Sequence, residues 1–295
     1  MIYLSVLKCF RFKGWPVAGL LMLLLGAAPV SANEELLLEL EGHLVQGGLA
    51  TGRVQPGTRV EFADRQLRVG PEGSFVIGFH RDMPATADLI LTRGDLRQLK
   101  TLTIGKRDYR IERIDGLPPA KVNPRAKAVL DRIGRETAQV VKARDIDSTR
   151  QDYLQEFIWP ARGRLSGFYG SQRILNGDPK RPHFGVDVAA PVGTPVVAPV
   201  GGIVRLAHPD MFFSGGTLIL DHGHGVTSTY IHLDSIEVKQ GDEVAQGDLI
   251  ATIGQTGRAT GPHLDWRLNW FGHRLDPQLL VGEMPAADQK STSAK

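Results

Sequence analysis

Three short stretches of the chain concentrate its chemically capable side chains. They are His183-Phe-Gly-Val-Asp187, Tyr230-Ile-His232-Leu and Gly-Pro-His263-Leu-Asp265. Together they offer three imidazoles and two carboxylates, and neutral imidazole and carboxylate are ligands that a zinc ion accepts. The spacing matters as much as the residue types. On a strand, side chains two apart point to the same face, so His263 and Asp265 can aim together. His183 and Asp187 are four apart, again on one face. Fully extended they would sit roughly 13 Å apart, too far to share an ion. The chain must bend between them, and Gly185 is where it can.

These motifs stand in a longer match. From about Trp159 to Pro277 the chain resembles the lysostaphin-type (LytM-type) zinc endopeptidases that cut peptidoglycan cross-links. The resemblance includes Gly193-Thr-Pro-Val-Val-Ala198, Gly201-Gly-Ile-Val204, Asp221-His-Gly-His-Gly225 and Gly241-Asp-Glu-Val-Ala-Gln-Gly247. It continues through Gly254-Gln-Thr-Gly257 and Thr260-Gly-Pro-His263. It implies that His183 and Asp187 bind one zinc ion. It implies that His232 and His263, the first His of a His-x-His motif, do the acid–base and oxyanion work. The second His of that motif is the third zinc ligand in the family, and here that position is Asp265.

Two readings of Asp265 follow. In the first it replaces the imidazole as third ligand, since oxygen ligation of zinc at about 2.0–2.2 Å is ordinary. Two carboxylates would then cancel the ion's charge, where two imidazoles and one carboxylate leave +1. A more neutral site acidifies water and polarises a carbonyl less, and shifts preference toward harder ions such as Mn2+. In the second reading Arg267, on the same strand face, pairs with Asp265 and competes with ligation. The resemblance implies a role for that case, since some members of the family have lost the zinc site: a metal-free binding module that activates a separate cell-wall amidase. The first reading makes it a zinc metalloendopeptidase hydrolysing peptidoglycan cross-links, with a cell-wall amidase or divisome protein as a further partner.

The remaining histidines read as structural. His222 and His224 mimic a chelating pair but lie at a turn of the family pattern. His43 and His80 are isolated, and His208 and His273 are assigned to the surface. Arg173 is expected to hydrogen-bond, Tyr230 to share the face of His232, and Trp266 and Trp270 to pack in a core or line a groove. Val238 to Leu249 resembles a lipoyl- or biotinyl-carrier hairpin. Lys239 precedes that turn instead of crowning it, which argues against a carrier.

The elements that must position these residues are mainly β. Val60, Phe62, Leu67, Val69, Phe75, Ile77, Phe79, Leu89 and Leu91 alternate at period two between Pro-Gly and Gly-Pro turn signals. They predict a small N-terminal β-sandwich over residues 33–116. A helical linker over 117–158 is opened by the Pro118-Pro119 break and an Asn123-Pro124 cap. Its apolar face is Ala126, Val129, Ile133, Thr137, Val140 and Val141, and its charged face includes Arg132 and Glu136. A second short helix is expected around Thr149–Phe157. A lysostaphin-like antiparallel β-domain spans 159–282, and a polar tail over 283–295 is expected to be disordered.

Residues 1–32 read as a cleaved secretory signal. Lys8, Arg11 and Lys13 precede an apolar run and the small-residue site Val30-Ser-Ala32. Cleavage would leave no stable membrane span, and the resemblance implies that the exported chain works in the periplasm. The single cysteine, Cys9, lies in that signal, so disulfides and thiolate metal sites are excluded. The formal charge of +3 also loses its three basic residues there. A near-neutral mature chain gives no reason to expect nucleic acid as a partner.

Overall fold

The apolar alternation resolves into strands in a computed structural model, which describes residues 35–117 and 122–285. The expected signal segment, the Pro118-Pro119 break and most of the expected tail lie outside the described residues. In the N-terminal part, β1 (Leu37–Gly42), β2 (Leu49–Val54) and β5 (Ser74–Gly78) form a three-stranded antiparallel sheet. A four-stranded sheet runs β4 (Arg65–Leu67), β3 (Arg59–Phe62), β6 (Thr86–Arg93), β7 (Leu96–Thr103). Val60, Phe62, Leu67, Leu89 and Leu91 point inward from the second sheet, and Phe75 and Ile77 from the first. Phe62 meets Phe79 edge to face at 5.7 Å between centroids, so both sheets share one core.

Two features cross from this region into the rest of the chain. Strand β8 (Ile111–Ile114) pairs in parallel with β10 (Gln172–Leu175), which pairs antiparallel with β11 (Asp178–Pro179). Phe62 also packs 6.0 Å from Trp270, and the apolar core runs without interruption into the C-terminal sheet. From Glu35 onward the chain clusters as one compact unit.

Helix α1 spans Lys127–Arg144. It starts three residues beyond the Asn123-Pro124 signal. The Asn123 side chain donates to Asp178 at 2.6 Å and accepts from Lys180, so it is unavailable as a cap. Val140 and Ala143 pack on Leu206, Met211 and Ile219. Glu136, expected on the charged face, is buried. Its carboxylate accepts the Phe212 N–H at 2.8 Å and pairs with Arg132, which satisfies it there. Val141, expected on the apolar face, is 59% exposed. The expected second helix is a single 3-10 turn, Asp152–Leu154.

The C-terminal part is a ten-stranded, antiparallel sheet. Its members include β9 (Arg164–Gly167), β12 (Val186–Ala189), β13 (Pro195–Val197), β14 (Gly202–Met211) and β15 (Gly215–Gly223). They continue with β16 (Val226–Ile236), β17 (Glu243–Val244), β18 (Leu249–Ile253), β19 (His263–Trp270) and β20 (His273–Leu275). The main path runs β17-β14-β15-β16-β19-β12-β9. One face carries Leu218, Leu220, Tyr230, Leu264, Trp266, Leu268, Val186 and Val188 into the core. Trp266 and Trp270 are fully buried there, and burying such a side chain stabilises by roughly 1.5–3 kcal/mol. The opposite face carries Ile219 and Met211 under α1 and, further along, the polar residues of the site. No helix among the described residues is long and apolar enough to cross a membrane.

Candidate metal centre

Asp187 on β12 and Asp265 on β19 are direct cross-strand partners, and the next partner of Asp187 is Gly167 on β9. Side chains so placed have Cβ atoms about 4.5–5.5 Å apart, and two like charges there repel. Both carboxylates are also buried, Asp265 at 1% exposure. A structural pair would not be built this way, so cations must answer the charge. His183 does so first. Its main chain is tied to the 170–171 segment, with His183 N–H donating to Ser171 O at 2.8 Å and Gly170 N–H to His183 O at 2.7 Å. That hold brings Nε2 to 3.0 Å from Asp187 Oδ1 and 3.2 Å from Asp265 Oδ2. Two arginines close the outer side. Arg267 donates through Nε to Asp265 Oδ1 at 2.9 Å and through Nη2 to Oδ2 at 2.6 Å. Arg173 Nη2 lies 3.3 Å from Asp187 Oδ2, and its Nε is 3.7 Å from Glu112 on β8.

The bend between His183 and Asp187 is made differently from the expectation. Gly185 is not among the glycines with positive φ. Its role is clearance. A Cβ there would lie 2.2 Å from Asp265 Oδ1 and 2.7 Å from Arg267 Cγ. Gly167 does the same for the other carboxylate, since a Cβ would meet Asp187 Oδ2 at 2.2 Å.

The donor set fits a small divalent ion. Two ligand atoms about 2.1 Å from a tetrahedral zinc sit about 3.4 Å apart. The observed separations of 3.0 and 3.2 Å need only a slight opening. Asp187 Oδ1 is buried with no hydrogen-bond partner although His183 Nε2 lies 3.0 Å away, and with His183 neutral an ion would satisfy the lone pairs that then face each other. Among the described residues, His183, Asp187 and Asp265 are the group whose ligand atoms converge within 4.8 Å.

His232 and His263 stand beside this triad with ring centroids 4.7 Å apart. His232 has φ +65°, a left-handed conformation that a non-glycine residue adopts at a cost. Its N–H donates to Ser214 O at 2.8 Å, and the ladder shifts register after it. This irregularity breaks the period-two pattern. Tyr230, expected on the same face, is instead buried in the core with its hydroxyl 2.7 Å from Ser228 Oγ. His232 Nδ1 lies 2.7 Å from Thr256 O and His263 Nδ1 lies 2.8 Å from Gly261 O. A carbonyl only accepts, so both Nδ1 atoms carry hydrogen and both Nε2 atoms offer a lone pair when neutral. Burial pushes the His232 imidazole down to about 4, with Asp265 opposing. For His183 burial pushes down too, but the two carboxylates outweigh it and leave the imidazole raised. Burial works against the Asp265 charge, yet Arg267 and His183 hold its carboxyl well below the usual range.

The other histidines lie elsewhere. His222 donates through Nδ1 to Gly201 O at 2.6 Å and faces Ser228 Oγ at 2.7 Å through Nε2. His224 faces the Tyr153 hydroxyl at 3.0 Å. His208 Nδ1 accepts the Asp210 N–H. His80 is not isolated: it stacks on His273 at 5.2 Å, and His273 stacks on Trp270. Sequence reasoning passed over Gly167, Thr256 and Glu112. Thr256 stood in the Gly254-Gln-Thr-Gly257 motif. Gly167 and Glu112 gave no local signal, because their roles exist only across strands.

The surrounding sequence is shared with known proteins. Residues 181–277 match the model of Peptidase family M23. The chain is similar to the peptidoglycan DD-endopeptidase ShyA of Vibrio cholerae, 37% identical over 122 residues, 40% of this chain and 27% of that protein. It is similar to the DD-carboxypeptidase/endopeptidase Mpg of Neisseria meningitidis, 35% identical over 118 residues, 39% of this chain and 27% of that protein. The chain therefore spans about a quarter of the length of these curated relatives. A crystal structure from Pseudomonas aeruginosa assigned to peptidase M23 matches far more widely, with 30% identity and a TM-score of 0.63. That match covers 81% of this chain and 95% of that one, and on it the chain belongs to peptidase family M23.

Proposed function

We propose that the chain is a zinc metalloendopeptidase that hydrolyses peptide cross-links of peptidoglycan. The observation that carries this is the convergence of His183, Asp187 and Asp265 beside two imidazoles that both present Nε2 lone pairs. The names of the relatives, peptidoglycan endopeptidases, supply the substrate class. Export by a cleaved signal over residues 1–32 and action in the periplasm belong to the same proposal.

His183, Asp187 and Asp265 would hold one zinc ion. The chemistry such an ion supplies is the acidification of water and the polarisation of a peptide carbonyl. His263 accepts a proton at Nε2, because Nδ1–H is fixed on Gly261 O. His232 is also an acceptor at Nε2 while neutral, and it donates to a developing oxyanion or leaving amine only after taking a proton.

In the test, His263→Ala should keep zinc at the level of the unaltered chain and release no soluble fragments from purified peptidoglycan. Fragment release at an undiminished rate would remove His263 from the mechanism. A second reading has one specific observation behind it, the two-point hold of Arg267 on Asp265. If that pair excludes metal, the chain serves as a peptidoglycan-binding activator of a cell-wall amidase. Cleavage would then require the amidase and persist when His183→Ala removes the candidate ligand from this chain.

A further inference from the structure

A divalent ion held by one imidazole and two carboxylates is formally neutral. Hydrolytic zinc sites built from two imidazoles and one carboxylate keep one positive charge, and that charge is what acidifies water and polarises a carbonyl. On the donor count alone, the His183–Asp187–Asp265 set is therefore a poor Lewis acid centre. The structure holds a correction to that count. Arg267 lies on the same strand face as Asp265, two residues on, and grips both of its oxygens at 2.9 and 2.6 Å. The guanidinium is positioned, not incidental. The missing side chain of Gly185 is what leaves room for Asp265 Oδ1 and the Arg267 stem together.

We propose that Arg267 is a positioning residue of the metal centre, whose guanidinium on Asp265 returns one positive charge to the site. Asp265 and Arg267 then act as one neutral ligand. Ligation and ion pairing do not exclude each other. A carboxylate has about four lone-pair sites, and Arg267 takes one on each oxygen. Oδ2 still faces His183 Nε2 at 3.2 Å, on the side where the ligand atoms converge. Arg173 does not double the correction, because Glu112 beside it on β8 answers its charge. The pair thus turns the feature that favours a metal-free reading into part of a metal site. This inference rests on the metallopeptidase reading above.

The test compares the full chain with Arg267→Met, Arg267→Lys, Asp265→His and the double variant Asp265→His/Arg267→Met. Zinc affinity is read by chelator competition, zinc content by elemental analysis and turnover by release of soluble peptidoglycan fragments. Removing a cation beside a dication should tighten zinc by about tenfold or more, while turnover falls by about tenfold. A merely structural role would move the two in the same direction. Arg267→Lys keeps the charge and should restore both values to within about threefold. Asp265→His alone leaves Arg267 without its carboxylate and should weaken zinc, and the double variant should recover it. Turnover that rises in Arg267→Met, or zinc that weakens there, overturns the inference while the metallopeptidase reading stands. No zinc in the unaltered chain after reconstitution overturns that reading, and the inference with it.

Discussion

Asp265 is at the centre of the residue-scale argument, because it sits where two carboxylates face each other across a strand pair and both are buried. Glycines make that geometry feasible. Gly185→Ala keeps an ordinary backbone conformation but would press a methyl group onto Asp265 Oδ1. It should weaken zinc by about tenfold or more without lowering the melting temperature by more than a few degrees. Unchanged zinc affinity by chelator competition would remove Gly185 from the site. The three ligand candidates and the two histidines were legible in the sequence, since motif and spacing carried them. The clearance role of Gly185 was not, because it depends on side chains that come from another strand.

Histidine protonation sets a second expectation at this scale. Burial lowers His222 and His232 below the ordinary 6.5, His232 to about 4. The unfolded chain therefore takes up protons first as pH falls. Stability from these groups is present above about 6.5 and lost as pH drops toward the folded value. For His232 the loss is about 2 kcal/mol at pH 5. His183 is raised, so its contribution has the opposite sign, full below its unfolded value, and it offsets part of this loss. Urea midpoints of the metal-free chain should fall between pH 7 and pH 5, and a midpoint that rises would contradict these assignments.

At the scale of elements, two irregularities decide what the sheet can do. The left-handed His232 turns a side chain that regular alternation would send into the core beside Tyr230. It therefore stands next to His263. Period-two reasoning placed Tyr230 and His232 together and failed there, because the register shift between Tyr230 and Leu233 in the β15–β16 ladder has no signature in residue types. Helix α1 was legible in its extent to Arg144 and in the inward facing of Val129, Ile133 and Val140, but not at Val141 or Glu136. Its inward stripe includes Glu136, a charged residue whose acceptor role comes from the backbone of Phe212. Glu136→Ala should cost about 1 kcal/mol of unfolding free energy, because it removes the acceptor of the half-buried Phe212 N–H, and leave zinc binding unchanged. A loss under about 0.5 kcal/mol would mean that water replaces the carboxylate.

For the whole molecule, the strand alternation of the N-terminal half was readable from pattern and the β character of the C-terminal half from its composition and family resemblance, and the matched peptidase M23 structure carries a similar fold over 81% of the chain. The joining of the halves was not readable. Strand β8 pairs in parallel with β10, and its Glu112 steadies Arg173 against Asp187. Non-local pairing of this kind leaves no periodic trace. It means that the N-terminal strands reach the candidate metal centre through one arginine, a link that the expected β-sandwich over residues 33–116 did not suggest.

Zinc stoichiometry of the purified full chain, by elemental analysis beside Asp265→Ala, tests the central claim most directly. The convergence of His183, Asp187 and Asp265 predicts about one zinc per chain. It also predicts loss of that zinc in Asp265→Ala. A chain that takes up no zinc after reconstitution, or an Asp265→Ala chain that binds it as well as the original, would contradict the account.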